Sequence, residues 1–143
     1  MAAYITDFPN NKLVQAPHVL AMPHLGASTP ESEQNCAVMA VNELRDYLEN
    51  GNIRNSVNLP NVTLERSGVQ RMCIIHKNVP GMLANITTLL STDGVNVENL
   101  SNKSKGELAY TLVDLGTNVD EAVIEDVKKL ANVIRVRVID WSI

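Results

Sequence analysis

From Val69 to the C-terminus the hydrophobic period switches between two residues and about 3.6, in the order strand, helix, strand, strand, helix, strand. Few folds accept that succession. Val69 to Ile75 includes Met72, Ile74 and Ile75 and reads as a first strand. Asn78 to Asp93 reads as a helix with a Leu83, Ile86 and Leu90 stripe, Asn78 as its N-cap, Pro80 in its first turn and Gly94 as its stop. Val95 to Ser104 is a second strand, and Lys105-Gly106 a turn into a third, Glu107 to Leu115. On that third strand Leu108, Tyr110, Leu112 and Asp114 share one face, and Ala109, Thr111, Val113 and Leu115 the other. Asp120 to Leu130 is a second helix with Val123, Val127 and Leu130 inward, and Val133 to Ile139 a closing strand. The expectation is an α+β, ferredoxin-like βαββαβ sandwich with both helices on one sheet face. A domain this small has a marginal core. Its other sheet face, semi-apolar and expected to be bare, predicts pairing with a second copy.

Upstream, residues 30–50 carry the clearest helix. Ser28 or Thr29 can cap it, Pro30 suits its first turn, Glu31 lies three after Ser28 as in a capping box, and Gly51 is a left-handed stop. Ala37, Val41, Leu44 and Leu48 form one apolar stripe, and nothing in residues 1–60 is large enough to cover it, so intermolecular burial is expected. Residues 52–68 read as a connection: asparagines at 52, 55, 58 and 61 break up short apolar pairs. Ser56 to Leu59 could add as an edge strand to another domain. Residues 1–24 are extended, with a strand stub at Tyr4-Ile5-Thr6, turn chemistry at Pro9-Asn10-Asn11, and His18 and His24 in Pro-punctuated stretches. The expected organisation is 1–59, a 60–68 linker, and 69–143.

Composition excludes several classes of function. Net charge is −4 and the twelve Lys and Arg are scattered, so no basic stripe exists for nucleic acid. No apolar run is long enough for a membrane span, and Met1-Ala2-Ala3 is not a secretory start, which predicts a cytoplasmic chain that binds neither nucleic acid nor membrane. Cys36 and Cys73 lack metal-ligand spacing and are expected as two buried thiols.

His24 lies in Pro23-His24-Leu25-Gly26-Ala27-Ser28-Thr29, followed by Pro30-Glu31-Ser32. A histidine can exchange protons near neutral pH. The segment resembles the catalytic-histidine motif of the D-2-hydroxyacid dehydrogenases. That resemblance implies that His24 passes a proton to or from the substrate hydroxyl while hydride moves to NAD. An arginine and a glutamate elsewhere in such enzymes hold the substrate carboxylate and orient the histidine. An NAD site needs closely spaced glycines opening a helix. The seven glycines here are never closer than Gly106 and Gly116, so this chain is expected to hold no cofactor and to be inactive alone.

The second constellation is His76-Lys77-Asn78-Val79-Pro80-Gly81-Met82-Leu83, followed by Gly94-Val95-Asn96. Pro80-Gly81 lets backbone approach a ligand closely, and a helix N-terminus favours a carboxylate. The polar groups could converge at one end of the sheet. Equally, Asn78 can be a cap only and Asn96 a turn residue. The region resembles the ACT domain, in particular the C-terminal one of the phosphoglycerate dehydrogenase family, with a hydroxyacid dehydrogenase tail directly before it. The resemblance implies side-by-side ACT pairing into a homo-oligomer, at least a dimer, with L-serine at the interface. It places His76, Asn78 and Asn96, with the loop backbone of Val79, Pro80, Gly81, Met82 and Leu83, on the effector-binding positions. Val79 departs from the arginine that some serine-regulated members carry before the proline. An ACT assembly module that binds no ligand is the alternative.

Overall fold

A computed structural model describes residues 2–141, so the last two residues of the expected 69–143 unit lie outside it. The chain divides into two compact units, one up to Val41 and one from Asn42 onward.

In the first unit, β1 (Tyr4–Thr6) pairs in parallel with β2 (Val19–Ala21). Between them α1 (Asn11–Val14) is capped by Asn10, whose side chain accepts from the Lys12 and Leu13 amides. The expected turn at residues 9–11 is thus a cap and the start of a short helix. The long helix α2 (Pro30–Asn50) has the expected bounds and runs across the division into the second unit. Thr29 Oγ1 accepts from the Ser32 amide at 3.2 Å, so Thr29 rather than Ser28 caps it. Its stripe of Ala37, Val41, Leu44 and Leu48 is exposed. Cys36 is exposed on the same helix, which corrects the expectation of two buried thiols; Cys73 alone is buried.

The second unit holds β3 (Gln70–Lys77), α3 (Met82–Thr92), β4 (Val97–Lys105), β5 (Leu108–Leu115), α4 (Glu121–Lys129) and β6 (Val133–Asp140). The four strands form one antiparallel sheet in the order β4-β5-β3-β6, leaving β4 and β6 at the edges. Alternation sorts its side chains as read from sequence. Met72, Ile74, Val113 and Leu115 pack with Met82, Ile86, Leu90 and Val127 of the two helices. Fully burying a side chain of this size contributes about 1.5–3 kcal/mol, so this cluster supplies most of the folding drive.

The other sheet face is not bare, which corrects the expectation. Cys73, Tyr110 and Leu112 on that face pack with buried Ile53 and Val62, flanked by Tyr47, Leu59 and Leu64. Ile53 and Val62 exchange both backbone hydrogen bonds, at 2.8 and 3.0 Å. The asparagine-rich stretch is therefore a cover for the sheet, and Ser56 to Leu59 form no edge strand.

Arginines fasten this cover. Arg71 and Asp114 are wholly buried as an ion pair. Arg71 gives every guanidinium N–H away: Nε and Nη2 to Asp114, Nη1 to the carbonyls of Asn50 and Leu64 at 2.7 and 3.0 Å, and Nη2 again to Glu65 at 3.0 Å. Asp114 Oδ2 also accepts from the amide and hydroxyl of Ser67, both at 3.0 Å. The last carbonyls of a helix have no partner inside it and carry its negative end. In α2 they are met from the sheet: Tyr47 and Leu48 by Arg137, Glu49 by Trp141 Nε1, and Asn50 by Arg71. Gly51 then turns with φ +73, where a Cβ would meet Cys73 Sγ at 2.5 Å, and its carbonyl accepts from the Tyr110 hydroxyl at 2.7 Å.

Arg71→Met removes one partner of a buried pair and leaves Asp114 charged and dry, an effect of about 3–5 kcal/mol. Urea unfolding should show a loss of that size, whereas Lys128→Met, at an exposed pair, should leave the midpoint essentially unchanged.

Candidate functional site

The chain reverses sharply after β3. Val79 precedes a proline, which disfavours helical backbone there, and Gly81 sits at φ +84. The helix accordingly begins at Met82, four residues later than expected from Asn78, with Gly81 at the N-cap and no side chain capping it. Asn78 is not a cap. Its amide nitrogen donates to the Gly106 carbonyl at 3.2 Å and its backbone N–H to Glu107 at 2.8 Å, which ties the loop to the β4–β5 turn. Pro80, expected in the first helical turn, stands before the helix.

These turns leave a cavity of about 340 Å³ between the loop, the start of α3 and the edge strand. His76, Asn78, Val79, Gly81, Met82 and Leu83 line it, as does Asn102 of β4. Pro80 is exposed and is not among the lining residues. His76 is buried at 2% exposure. Its Nδ1 lies 2.8 Å from the Lys77 carbonyl and its Nε2 2.9 Å from Thr111 Oγ1, which in turn lies 2.8 Å from the Asn102 amide. The cavity thus combines helix N-terminal amides, neutral polar side chains and the apolar edges of Val79 and Leu83. Such a lining offers hydrogen-bond donors and acceptors beside apolar contacts.

Asn96 is elsewhere. The β4–β5–β3 register sets Val97 against Leu115, and Leu115 against Gln70, whereas His76 and Lys77 lie against Ala109 and Leu108. Asn96 and Asn78 therefore sit at opposite ends of one sheet, which corrects the expectation that they converge within a chain. At its end Asn96 is exposed; its Nδ2 donates to Glu98 Oε1 at 2.8 Å and its carbonyl accepts from Gly116 N–H at 3.1 Å.

Asn102 and Thr111 were not singled out from sequence as site residues. Asn102 shares the helix side of β4 with Leu100, since Leu100 pairs with Val113 and Asn102 with Thr111. A polar residue at an inward strand position was the available signal.

In the first unit, His24 Nδ1 lies 2.7 Å from Asp7 Oδ2, with the Phe8 ring 4.4 Å from the imidazole. The hydrogen bond from His24 holds the Asp7 carboxyl below its ordinary range. Both side chains are about half exposed, so the pair contributes little to stability. It does orient the ring through Nδ1.

Residues 72–135 match the model of the AHAS small subunit-like ACT domain. The four-stranded unit has an ACT-like, ferredoxin-like fold. The chain as a whole is similar to D-3-phosphoglycerate dehydrogenases. It is 33% identical over 127 residues to D-3-phosphoglycerate dehydrogenase 1 of Saccharomyces cerevisiae, covering 85% of this chain and 26% of that one. It is 30% identical over 129 residues to the D-3-phosphoglycerate dehydrogenase of Escherichia coli, covering 89% and 32%. It therefore spans about a quarter to a third of the length of these curated relatives. Among solved structures, the ACT domain from GTP pyrophosphokinase of Chlorobium tepidum matches with a TM-score of 0.43 and 18% identity, over 52% of this chain and 100% of that one. Among the described residues no helix is long and apolar enough to cross a membrane.

Because Asn78 caps nothing, Asn78→Ala should shift the unfolding free energy of the unliganded chain by less than about 0.5 kcal/mol, below the usual loss of an N-cap. Thermal and urea unfolding of the two chains side by side will measure it.

Proposed function

We propose that this chain is the regulatory C-terminal part of a D-3-phosphoglycerate dehydrogenase, and that its ACT domain binds a small L-amino acid, L-serine first, between two paired copies. The observation that carries this reading is the cavity at the His76–Leu83 loop, lined by six of the eight residues expected there. Its size suits a small amino acid. The first amides of α3 have no partner within the helix and offer a positive end to a carboxylate.

The opposite placement of Asn78 and Asn96 supports pairing through the β4 edge. An exposed edge strand is a template for another strand. If two copies join antiparallel along β4 about a two-fold axis, the Asn96 end of one strand runs to the Asn102 end of the other. Asn96 of each copy then meets the loop cavity of its partner, and two equivalent sites form across one continuous sheet. Neither copy alone completes a site. A ligand that bridges the copies favours the paired arrangement and any conformation of the parent enzyme that goes with it.

In the parent enzyme, oxidation of D-3-phosphoglycerate to 3-phosphohydroxypyruvate would use NAD as hydride acceptor. The residues of this chain do not fit a dinucleotide: no glycine pair is close enough to open a phosphate-binding turn. What this chain contributes is His24. Asp7 on Nδ1 leaves Nε2 to take the proton of the substrate hydroxyl.

One observation favours the alternative of a ligand-free assembly module: the side-chain amides of Asn78 and Asn96 already have partners within the chain. An effector must exchange those bonds for its own. The two readings separate in thermal unfolding. Millimolar L-serine should raise the midpoint of the wild-type chain, as mass action requires of a ligand of the folded state, with D-serine ineffective. Asn78→Ala with Asn96→Ala should abolish the rise and leave the dimer intact in sedimentation. A wild-type dimer whose midpoint no amino acid moves would establish the assembly module instead.

A further inference from the structure

We propose that Asn102 is an additional effector-contacting residue, whose side-chain oxygen accepts a hydrogen bond from the ammonium group of the bound amino acid. The proposal rests on the amino-acid reading of the cavity.

His76 on β3, Thr111 on β5 and Asn102 on β4 form a hydrogen-bonded row across the helix side of the sheet, from a buried position to the edge strand. Leu100 precedes Asn102 on this side, and Val113 and Ile74 flank the row, so apolar packing is the local norm and three linked polar side chains depart from it.

Counting hydrogens along the row sets its polarity. His76 Nδ1 faces the Lys77 carbonyl at 2.8 Å, and a carbonyl can only accept, so Nδ1 carries the hydrogen. In a ring that carries this one hydrogen, the other nitrogen is an acceptor, and the row's polarity is that of this form. Thr111 Oγ1, at 2.9 Å from Nε2, must give it its single hydrogen. The Thr111 oxygen keeps only lone pairs for the Asn102 amide 2.8 Å away. The structure has Oδ1 at that place, but the count assigns it to the NH₂ group, and a half-turn of an amide exchanges the two ends with no change of shape. With its nitrogen held by Thr111, Asn102 keeps an oxygen for the cavity that it lines.

The cavity is then polarised. The N-terminal amides of α3, an eleven-residue helix, face a carboxylate, and Asn102 Oδ1 faces a donor. A free amino acid is a zwitterion with those two ends. A ligand with a carboxylate but no ammonium would leave the Asn102 oxygen unmatched.

Isothermal titration of the complete chain with L-serine tests this in three versions. A hydrogen bond to a charged group contributes enough that Asn102→Leu should weaken binding at least about tenfold. Asn102→Asp keeps an acceptor and adds negative charge, so it should bind at least as tightly as wild type, or fall between wild type and Asn102→Leu. An Asn102→Asp chain that binds more weakly than Asn102→Leu would show a donor facing a carboxylate and overturn the proposal. So would an Asn102→Leu chain with wild-type affinity. Loss of L-serine binding by wild type itself would remove the amino-acid reading and this proposal together. A separate readout needs neither variant nor ligand: long-range ¹H–¹⁵N correlation at neutral pH should find His76 in the Nδ1–H form, and an Nε2–H form would contradict the row's polarity.

Discussion

Arg71 is a positive charge that cannot leave the interior, and the second unit is arranged around satisfying it. A buried ion is tolerated only when it is paired and all its hydrogen-bonding groups are met. Asp114 on the neighbouring strand supplies the counter-charge, and the carbonyls of Asn50, Leu64 and Glu65 take the remaining hydrogens. Those carbonyls belong to the end of α2 and to the stretch after it. The requirement to cover one guanidinium therefore fixes both the end of that helix and the irregular stretch that follows it. Trp141 joins the same group, with the guanidiniums of Arg66 and Arg71 each 4.9 Å from its ring.

The consequence is an ACT-like domain whose sheet is covered on both faces and open only at its edges. Helices α3 and α4 take one face and the Ile53–Leu64 cover the other. With both faces occupied, the unpaired backbone of the two edge strands, β4 and β6, is what the sheet leaves open. Asn102 lies on β4 and Asn96 just before it. The end of α2 is held to the same unit by hydrogen bonds from Arg71, Arg137 and Trp141 rather than by a slack tether.

Much of this was legible in the sequence, and the failures have physical causes. The six elements of the ACT unit, the two faces of Glu107–Leu115 and the 30–50 helix all show in hydrophobic period, because each buries several residues at regular spacing. Ile53 and Val62 do not, since two isolated apolar residues among asparagines carry no period. Arg71 and Asp114 carry no such signal either, because charge is buried only when a partner distant in sequence exists, and they are 43 positions apart. The helix start was misplaced because Asn78 followed by Pro80 mimics a cap. The positive φ of Gly81 and the pre-proline restriction on Val79 override that signal. The loop was singled out through a motif, and all of its expected site residues except Pro80 line the cavity. Asn96 lies at the far end because sequence proximity to a glycine turn says nothing of which end of the sheet that turn occupies. Asn102 was hidden in a strand whose polar residues look uniformly solvent-facing.

If one ligand bridges two paired copies, it engages the loop end of one sheet and the Asn96 end of the other. The decisive measurement is titration of the ¹⁵N-labelled chain with L-serine, followed by amide chemical-shift mapping. Bridging requires His76 to Leu83 and Asn96 to Glu98 to shift together, with one common dissociation constant, although they lie at opposite ends of each sheet. Shifts confined to the His76–Leu83 end would contradict it, for they would mean a site complete within a single copy.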